Sequence, residues 1–219
     1  MERIDLGFKI HQKLNPAERR RVAYHEAGHL ITTYLLHPTD DVFKASIISR
    51  RGGTHGVVYH VPREELKLAN RDRIMGNIKV ALAGYVAEKI KCGSTSDGVS
   101  SDFRHAMETA SEMVWRLGMG ASGLIGDFTA LLESWQFRGG GSSGQLSDAT
   151  KEELNRETRR ILQECLADVE AMLRREDVLL ERFKDELLKR NELEYDDIEA
   201  IFAEHGRQRS APTSPLQPS

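Results

Sequence analysis

The segment that decides the fold runs from Asn15 to Leu36 and reads NPAERRRVAYHEAGHLITTYLL. Asn15 can cap a helix, Pro16 suits the first helical position, and Glu18 stands where the acid of a capping box belongs. Pro38 follows shortly after the segment and cannot continue a helix. We therefore predict a single helix from Pro16 to about Leu36.

This helix contains the pattern H-E-x-x-H, formed by His25, Glu26 and His29. Residues four apart share one face of a helix, so both imidazoles can reach one tetrahedral Zn²⁺ ion. A glutamate beside the first ligand can hold an activated water and act as the general base for peptide hydrolysis. The alternative is a pair of histidines on a helix face with a solvated glutamate. The well-capped helix around the motif favours the first interpretation, a site that holds one zinc ion per chain.

Such a site needs a third protein ligand, and it must come from a later segment. Thr32 and Leu35 occupy the places where the compact H-E-x-x-H-x-x-G-x-x-H pattern has its glycine and its last histidine. Spacing alone leaves three acids open as the third ligand: Glu88, Asp97 and Asp102. Asp102 begins a predicted helix, where an acid is also favoured by the helix dipole. His105, one turn further on, is expected to support the site or to lie on the surface.

The remaining elements follow from apolar spacing and turn residues. The predicted strands are Val42–Ser49 and Val57–Val61, joined by a turn at Arg51–Thr54. The predicted helices cover about Glu64–Lys91, Asp102 to before Gly118, Ser147 to about Arg190 in two parts, and Asp196–Glu204. We expect a mainly α fold: a helical metallopeptidase domain with a small β-hairpin or sheet beside the active-site helix and a C-terminal helical bundle.

The chain is expected to have five segments. A run of glycine and serine predicts a flexible break, and a tail rich in proline and serine predicts disorder. The segments are an N-terminal extension (1–14), a zinc peptidase core (15–137), a flexible Gly/Ser loop (138–147), a C-terminal helical part of the same domain (148–205) and a disordered tail (206–219).

The composition excludes several classes of protein. The 219 residues, 39% hydrophobic and 30% charged, suit one sizeable domain with long, solvated helices. The net charge of −3 argues against a general nucleic-acid binder. Two widely separated cysteines, Cys92 and Cys165, indicate free thiols rather than a disulfide framework. Because no signal peptide or apolar run of membrane-spanning length is present, we expect a soluble, cytoplasmic chain as written.

Short matches along the chain resemble the peptidase domain of the FtsH-type AAA zinc metalloproteases, a family of membrane-anchored, ATP-dependent proteases. The matching stretches are Ala23–His29, Lys44–Arg50, Ala83–Ile90, Ser94-Thr95, Ser101–Phe103, Trp115–Met119 and Leu146–Asp148. They extend over about residues 16 to 203 and are specific in combination.

The resemblance implies a zinc metalloendopeptidase that hydrolyses unfolded or loosely folded proteins. The family's third zinc ligand is an aspartate after a Ser/Thr-rich loop, which matches Asp102. Glu88 matches a position close to the site, where a supporting role is expected. Independently of the resemblance, Tyr24 lies beside the motif, where a core role is expected, and it is a minor candidate for steadying the oxyanion. The hairpin matches the family's edge strand, to which an extended substrate could add through main-chain hydrogen bonds.

The chain also departs from the family pattern. Tyr85 stands where the family usually has arginine, and Glu88-Lys89 stands where it has two acids. No G-x-x-x-x-G-K-[ST] phosphate loop occurs, so the chain as given lacks the ATPase module, and it lacks the membrane anchor. We expect either a stand-alone relative or a fragment of an anchored, membrane-associated parent. The implied partners are protein or peptide substrates, further copies of the chain in a hexamer, and an AAA ATPase module in the parent or a partner chain.

Two other interpretations stay open. The chain could be a catalytically silent FtsH-like binding or assembly module, or a helical adaptor with no metal. A silent module would be free to lose Glu26, and its retention beside the candidate ligands favours catalysis.

Overall fold

The computed structural model describes residues 14–49, 55–131 and 146–208. Within these ranges the chain is mainly helical, as predicted, with one small sheet. Its principal helices are α1 (Pro16–Leu36), α2 (Arg71–Cys92), α3 (Ser100–Trp115), α4 (Asp148–Arg175), α5 (Asp177–Arg190) and α6 (Tyr195–Glu204), and a 3-10 turn covers Asp97–Val99. The strands are β1 (Asp40–Ser46), β2 (Val57–Pro62) and β3 (Glu192–Glu194).

Helix α1 has the predicted bounds, and both hydrogen bonds of the predicted capping box are present at its start. Asn15 Oδ1 accepts a hydrogen bond from Glu18 N at 2.9 Å, and Glu18 Oε2 accepts one from Asn15 N at 3.0 Å. The second half of α1 is buried on nearly every face, with Tyr24, Leu30 and Ile31 fully covered. Helix α1 is therefore the central helix of the domain rather than a surface helix with one apolar stripe.

The sheet has the order β2-β1-β3, and both pairings are antiparallel. Strand β1 pairs with β2 from Asp40↔Pro62 to Ser46↔Val57, with one register shift near the middle. The predicted hairpin strands are therefore present, although β1 begins and ends before its predicted bounds, and the predicted turn lies outside the described residues. Strand β3, which was not predicted, pairs with the other side of β1 and leaves β2 as an edge strand of the described sheet.

Helix α2 begins at Arg71, so the predicted start at Glu64 is wrong. The reason is Asn70, whose side chain accepts a hydrogen bond from Arg73 N at 3.0 Å and caps the helix there. Helix α3 begins at Ser100, slightly before its predicted start, because the 3-10 turn leads directly into it.

Two clusters of buried side chains hold these elements together, and α2 contributes to both. The first packs α1 and β1 against the C-terminal helices and includes Tyr24, Val42, Phe183, Leu193 and Phe202. The second packs α2 against α3 and α4 and includes Ile78, Met113, Leu154 and Ile161. Because α1 lies between α2 and the C-terminal helices, segments far apart in sequence fix its position.

The C-terminal helices follow the predicted apolar spacing. On α4 the buried apolar positions are Leu154, Ile161, Cys165, Val169, Met172 and Leu173. Most of the predicted Gly/Ser loop and most of the predicted tail lie outside the described residues, so the division into five segments stays a prediction. Within the described ranges, none of the helices combines the length and the apolar character needed to span a bilayer.

Candidate metal centre

Two helices bring three side chains with metal-binding atoms together. His25 and His29 lie one turn apart on α1, and Asp102 lies in the first turn of α3. His25 Nε2 is 3.0 Å from His29 Nε2 and 3.1 Å from Asp102 Oδ2, and His29 Nε2 is 3.5 Å from the same oxygen. One ligand atom from each residue lies within 4.8 Å of the others, which no other group of three such side chains achieves in the described part of the chain. We call these three residues the metal-binding group.

The second nitrogen of each imidazole faces a hydrogen-bond acceptor. His25 Nδ1 is 2.9 Å from Glu88 Oε1, and His29 Nδ1 is 2.8 Å from the carbonyl oxygen of Val80. A carboxylate and a carbonyl oxygen only accept, so in the neutral rings each Nδ1 carries the proton and each Nε2 presents a lone pair. Two lone pairs and a carboxylate oxygen therefore converge on one point. Such acceptors repel each other unless a cation lies between them, and this donor set fits zinc.

One oxygen of the Asp102 carboxylate has no hydrogen-bond partner. Its Oδ2 atom is buried and receives no well-oriented hydrogen bond, although two imidazole nitrogens lie close by. Burial raises the pKa of this carboxyl, but His25 and His29 outweigh burial and hold the pKa well below its usual range. An ionised, unsatisfied oxygen that faces two imidazole nitrogens suits a third ligand for a divalent cation.

The surrounding acids also set the protonation of His25. Burial lowers the pKa of this imidazole, but Asp102 and Glu88 outweigh burial and raise it to about 10. In the metal-free chain a proton can therefore take the place of a cation, and a metal ion must displace it. Glu26, only 5% exposed, lies beside this group, and burial raises the pKa of its carboxyl despite the opposing effect of the imidazoles.

Two glycines let the backbone approach the site closely, and the sequence pattern did not single out either. A Cβ atom at Gly84 on α2 would lie 2.5 Å from His25 Nε2. A Cβ atom at Gly56, just before β2, would lie 2.6 Å from Glu26 Cδ. For Gly84 the available signal was its place inside a predicted helix, where glycine costs about 1 kcal/mol relative to alanine and so suggests a packing reason. Gly56 lies outside the predicted helices, so this signal does not apply to it.

Glu88 supports His25 from the side away from the metal-binding group. The Glu88 side chain is 1% exposed, and Arg21 Nη1 donates to its Oε2 at 3.0 Å. Ser96 donates to the same carboxylate through its backbone N–H at 2.7 Å and its hydroxyl at 3.0 Å. Burial raises the pKa of Glu88, but His25 and Arg21 lower it below its usual value. Glu88 is therefore an ionised acceptor that contacts the His25 imidazole at Nδ1.

A cleft of about 1060 Å³ opens over the metal-binding group. It is bordered by α1, α2, the edge strand β2 and the segment that leads into α3. The residues that β2 and its approach contribute are His55, Gly56, Val57, Val58 and His60. Because β2 has one neighbour in the described sheet, its outer side can pair with an extended peptide.

The other candidates from the sequence lie outside the metal-binding group. Asp97 and His105 are exposed and line the cleft. Tyr24 is fully buried, and its hydroxyl lies 3.0 Å from both carboxylate oxygens of Glu181 on α5. Tyr24 therefore anchors α1 to α5, and its placement does not favour contact with an oxyanion.

The two departures from the family pattern also lie outside the metal-binding group. Lys89 Nζ is 5.8 Å from the centre of the Tyr85 ring, and this ring packs against Phe103 with its centre 4.9 Å away. A cation–π pair one helical turn apart therefore occupies these positions.

Comparison with known proteins gives a consistent result. The chain matches the model of peptidase family M41 over residues 12–201. The ATP-dependent zinc metalloprotease FtsH of Thermobaculum terrenum is 33% identical over 202 residues, which are 92% of this chain and 31% of that protein. The FtsH of Thermus thermophilus is 33% identical over 189 residues, 86% of this chain and 30% of that protein. FtsH 1 of Sorangium cellulosum is 32% identical over 214 residues, 96% of this chain and 34% of that protein.

The chain spans about a third of the length of these relatives. Their names describe zinc metalloproteases, which implies zinc as the cofactor of the related site. Because the match extends over most of the chain and includes the helix with H-E-x-x-H, this protein belongs to peptidase family M41.

Proposed function

We propose that this chain is a zinc metalloendopeptidase of the FtsH type that holds one Zn²⁺ ion through His25, His29 and Asp102. The observation that carries the proposal is the convergence of two imidazole Nε2 atoms and an unsatisfied carboxylate oxygen on one point. Glu26, whose carboxylate is the proposed general base, lines the same cleft. Together these groups are what metal-assisted hydrolysis of a peptide bond requires.

Each protein group has a separate part in this mechanism. Zinc held at this site supplies a Lewis acid that polarises the scissile carbonyl and lowers the pKa of water. Glu26 accepts the proton of the attacking water on its carboxylate and passes it to the leaving amine. Gly56 packs against Glu26 and limits the positions that its carboxylate can take. Glu88 and Val80 keep both imidazoles in the tautomer that leaves Nε2 free for the metal.

The substrate is an extended segment of an unfolded or loosely folded protein. A cleft beside an edge strand can bind the main chain of a peptide, which is the same for every sequence. A folded protein has few free extended segments, so it would need to be unfolded first. The relatives named as ATP-dependent support an AAA ATPase module, in a parent or partner chain, as the source of that unfolding. By the same family relation we propose that the chain works as a homo-oligomer, with a hexamer as the expected state.

The alternative is a catalytically silent module that keeps the fold and the metal. Glu26 lies buried beside the candidate ligands, where a carboxyl is costly to retain without a function. This placement favours a working peptidase.

Zinc content and casein hydrolysis, measured for the wild type and for Glu26→Gln, test the proposal. We expect about one zinc per chain in both proteins. Hydrolysis should fall by about 10²–10⁴-fold in the variant, because a general base contributes this much, and it should stop in chelator. Glu108→Gln, an exposed position on α3, is the matched control and should behave as the wild type.

Each other outcome has a definite meaning. Zinc in both proteins with hydrolysis of neither casein nor an unfolded peptide would favour the silent module. Absence of zinc from the wild type would refute the assignment of the three ligands. Equal hydrolysis by the wild type and Glu26→Gln would remove Glu26 from the mechanism.

A further inference from the structure

The loop between α2 and α3 leads the chain to the third candidate ligand. It covers residues 93–99, and Asp102 follows it in the first turn of α3. Glu88 on α2 holds this loop through Ser96, which donates to the two carboxylate oxygens by its backbone N–H at 2.7 Å and by its hydroxyl at 3.0 Å. The position of the loop therefore depends on the groups that contact the Glu88 carboxylate.

The Arg21 guanidinium on α1 contacts both this loop and the Glu88 carboxylate. Arg21 Nη1 donates to the carbonyl oxygen of Ser94 at 2.5 Å and to Glu88 Oε2 at 3.0 Å, and Nη2 donates to the Ser94 hydroxyl oxygen at 3.2 Å. Arg21 also lies about one helical turn before His25, whose Nδ1 is 2.9 Å from Glu88 Oε1. One side chain thus links α1, α2 and the loop, in a network that ends at a candidate zinc ligand.

These contacts suit an arginine rather than a lysine. A guanidinium is planar and offers several N–H donors in a fixed fork, whereas a lysine ammonium is one point charge on a flexible stem. Here the fork is shared between a charged oxygen of Glu88 and two neutral oxygens of Ser94. The Glu88 side chain is 1% exposed, so its negative charge also needs a nearby cation. The Arg21 side chain, 27% exposed, supplies that charge.

We propose that Arg21 is a positioning residue of the zinc centre, which fixes the loop before Asp102 relative to the two histidines by binding Glu88 and Ser94 together. The inference rests on the proposed zinc site. Arg21 lies outside the metal-binding group, so it acts through Glu88 and the loop. Without the guanidinium, the loop loses both hydrogen bonds at Ser94, and the Asp102 carboxylate can take a wider range of positions relative to the imidazoles. Zinc binding must then restrict that range, which lowers the affinity.

A purely structural role for Arg21 predicts a different result. Such a role would lower the free energy of unfolding and leave the affinity of the folded chain for zinc unchanged. Arg19, also on α1, makes contacts of this structural kind: its Nη2 donates to the carbonyl oxygen of Leu188 at 2.6 Å and to Asn191 Oδ1 at 2.7 Å. These hydrogen bonds connect α1 to the end of α5. Arg19 is therefore the matched control.

The experiment measures the zinc affinity of the full chain by competition with a chromophoric chelator, under conditions in which each metal-free variant is folded. We expect Arg21→Met to bind zinc about tenfold more weakly than the wild type, at the lower end of the range for loss of a supporting group. Arg21→Lys keeps the charge but not the fork, so its affinity should stay below that of the wild type. Arg19→Met should unfold at a lower urea concentration in chelator and bind zinc as the wild type does.

Hydrogen exchange in chelator gives a second readout that depends neither on zinc nor on hydrolysis. The Ser96 amide should exchange faster in Arg21→Met than in the wild type, and at the wild-type rate in Arg19→Met. Wild-type zinc affinity in Arg21→Met, an equal loss in Arg19→Met, or full recovery in Arg21→Lys would overturn the inference.

Zinc binding and hydrolysis, measured side by side, separate this inference from the proposed function. The expected order of zinc affinities without hydrolysis of casein or an unfolded peptide would support the role of Arg21 and count against the peptidase proposal alone. Absence of zinc from the wild type would refute the assignment of the three ligands and this inference with it.

Discussion

Replacing Gly84 with alanine tests whether the position of the His25 imidazole decides zinc binding. The new Cβ atom would lie 2.5 Å from His25 Nε2. Carbon and nitrogen atoms in ordinary contact stay about 3.5 Å apart, so the ring must move by about 1 Å. Glu88 holds the ring at Nδ1, 2.9 Å away, and buried neighbours limit other movements. We therefore expect Nε2 to leave the point on which the three ligand atoms converge.

A displacement of this size is large compared with the tolerance of a zinc site. Zinc–nitrogen distances stay within about 0.2 Å of their usual value. Disturbing a group that supports a ligand lowers metal affinity by about 10–100-fold, and displacing a ligand itself should cost at least 100-fold. The fold should survive, because Gly84 lies within a helix without a positive φ and alanine is favoured there by about 1 kcal/mol.

Zinc affinity, measured by competition with a chromophoric chelator, and thermal unfolding in chelator together check the expectation. Gly76→Ala on the same helix is the matched control, because its Cβ would meet the ring of His37, 2.7 Å from Cδ2, rather than a zinc ligand. The control should lower stability by about 1–3 kcal/mol through overpacking while zinc affinity stays the same. Wild-type zinc affinity in Gly84→Ala, or an equal loss in both variants, would refute the reasoning.

Two further predictions concern the proposed base and the anchoring of α1. In Gly56→Ala the new Cβ atom would lie 2.6 Å from Glu26 Cδ and would displace the Glu26 side chain. Zinc content should therefore be normal, while hydrolysis should fall at least tenfold. Unchanged hydrolysis would contradict this placement of the base. For Glu181, burial raises the pKa of the carboxyl, but Lys91 and Lys184 outweigh burial and lower it to about 2, below the ordinary 4.5. The ion pairs therefore stabilise the fold above about pH 4.5 and lose this effect as the pH falls toward 2. Glu181→Gln should lower the free energy of unfolding by about 1 kcal/mol at neutral pH, a value reduced for partial solvent exposure. Urea unfolding of both proteins between about pH 3 and 7 should show this difference shrinking below pH 4.5, and a constant difference would count against the assignment.

Patterns within a short stretch of sequence correctly predicted the features that depend only on neighbouring residues. The capping residues Asn15 and Glu18 make the hydrogen bonds expected of them, and α1 begins and ends where predicted. The spacing of His25 and His29 on one helix likewise gives both imidazoles a common direction. These features depend on neighbours within one or two turns, which a sequence pattern contains directly.

Sequence patterns could not show which residues from distant segments of the chain lie close together in the fold. Spacing left Glu88, Asp97 and Asp102 equal as third ligands, and the packing of α3 against α2 is what brings Asp102 to the two histidines. Strand β3 is too short to show a period, and its pairing with β1 stabilises it. The start of α2 was misplaced because good helix formers after Glu64 concealed the capping residue Asn70.

The central position of α1 has a consequence for the order in which the protein can assemble. All residues of the metal-binding group have been synthesised once Asp102 is added to the chain, but the cover of α1 comes from segments that are synthesised later. Tyr34 stacks on Phe202, with ring centres 3.6 Å apart, and Arg19 donates to the carbonyl oxygen of Leu188 at 2.6 Å. A nascent chain therefore contains every candidate ligand before it contains the helices that hold them, and the centre becomes ordered only after the segment through Phe202 has been synthesised.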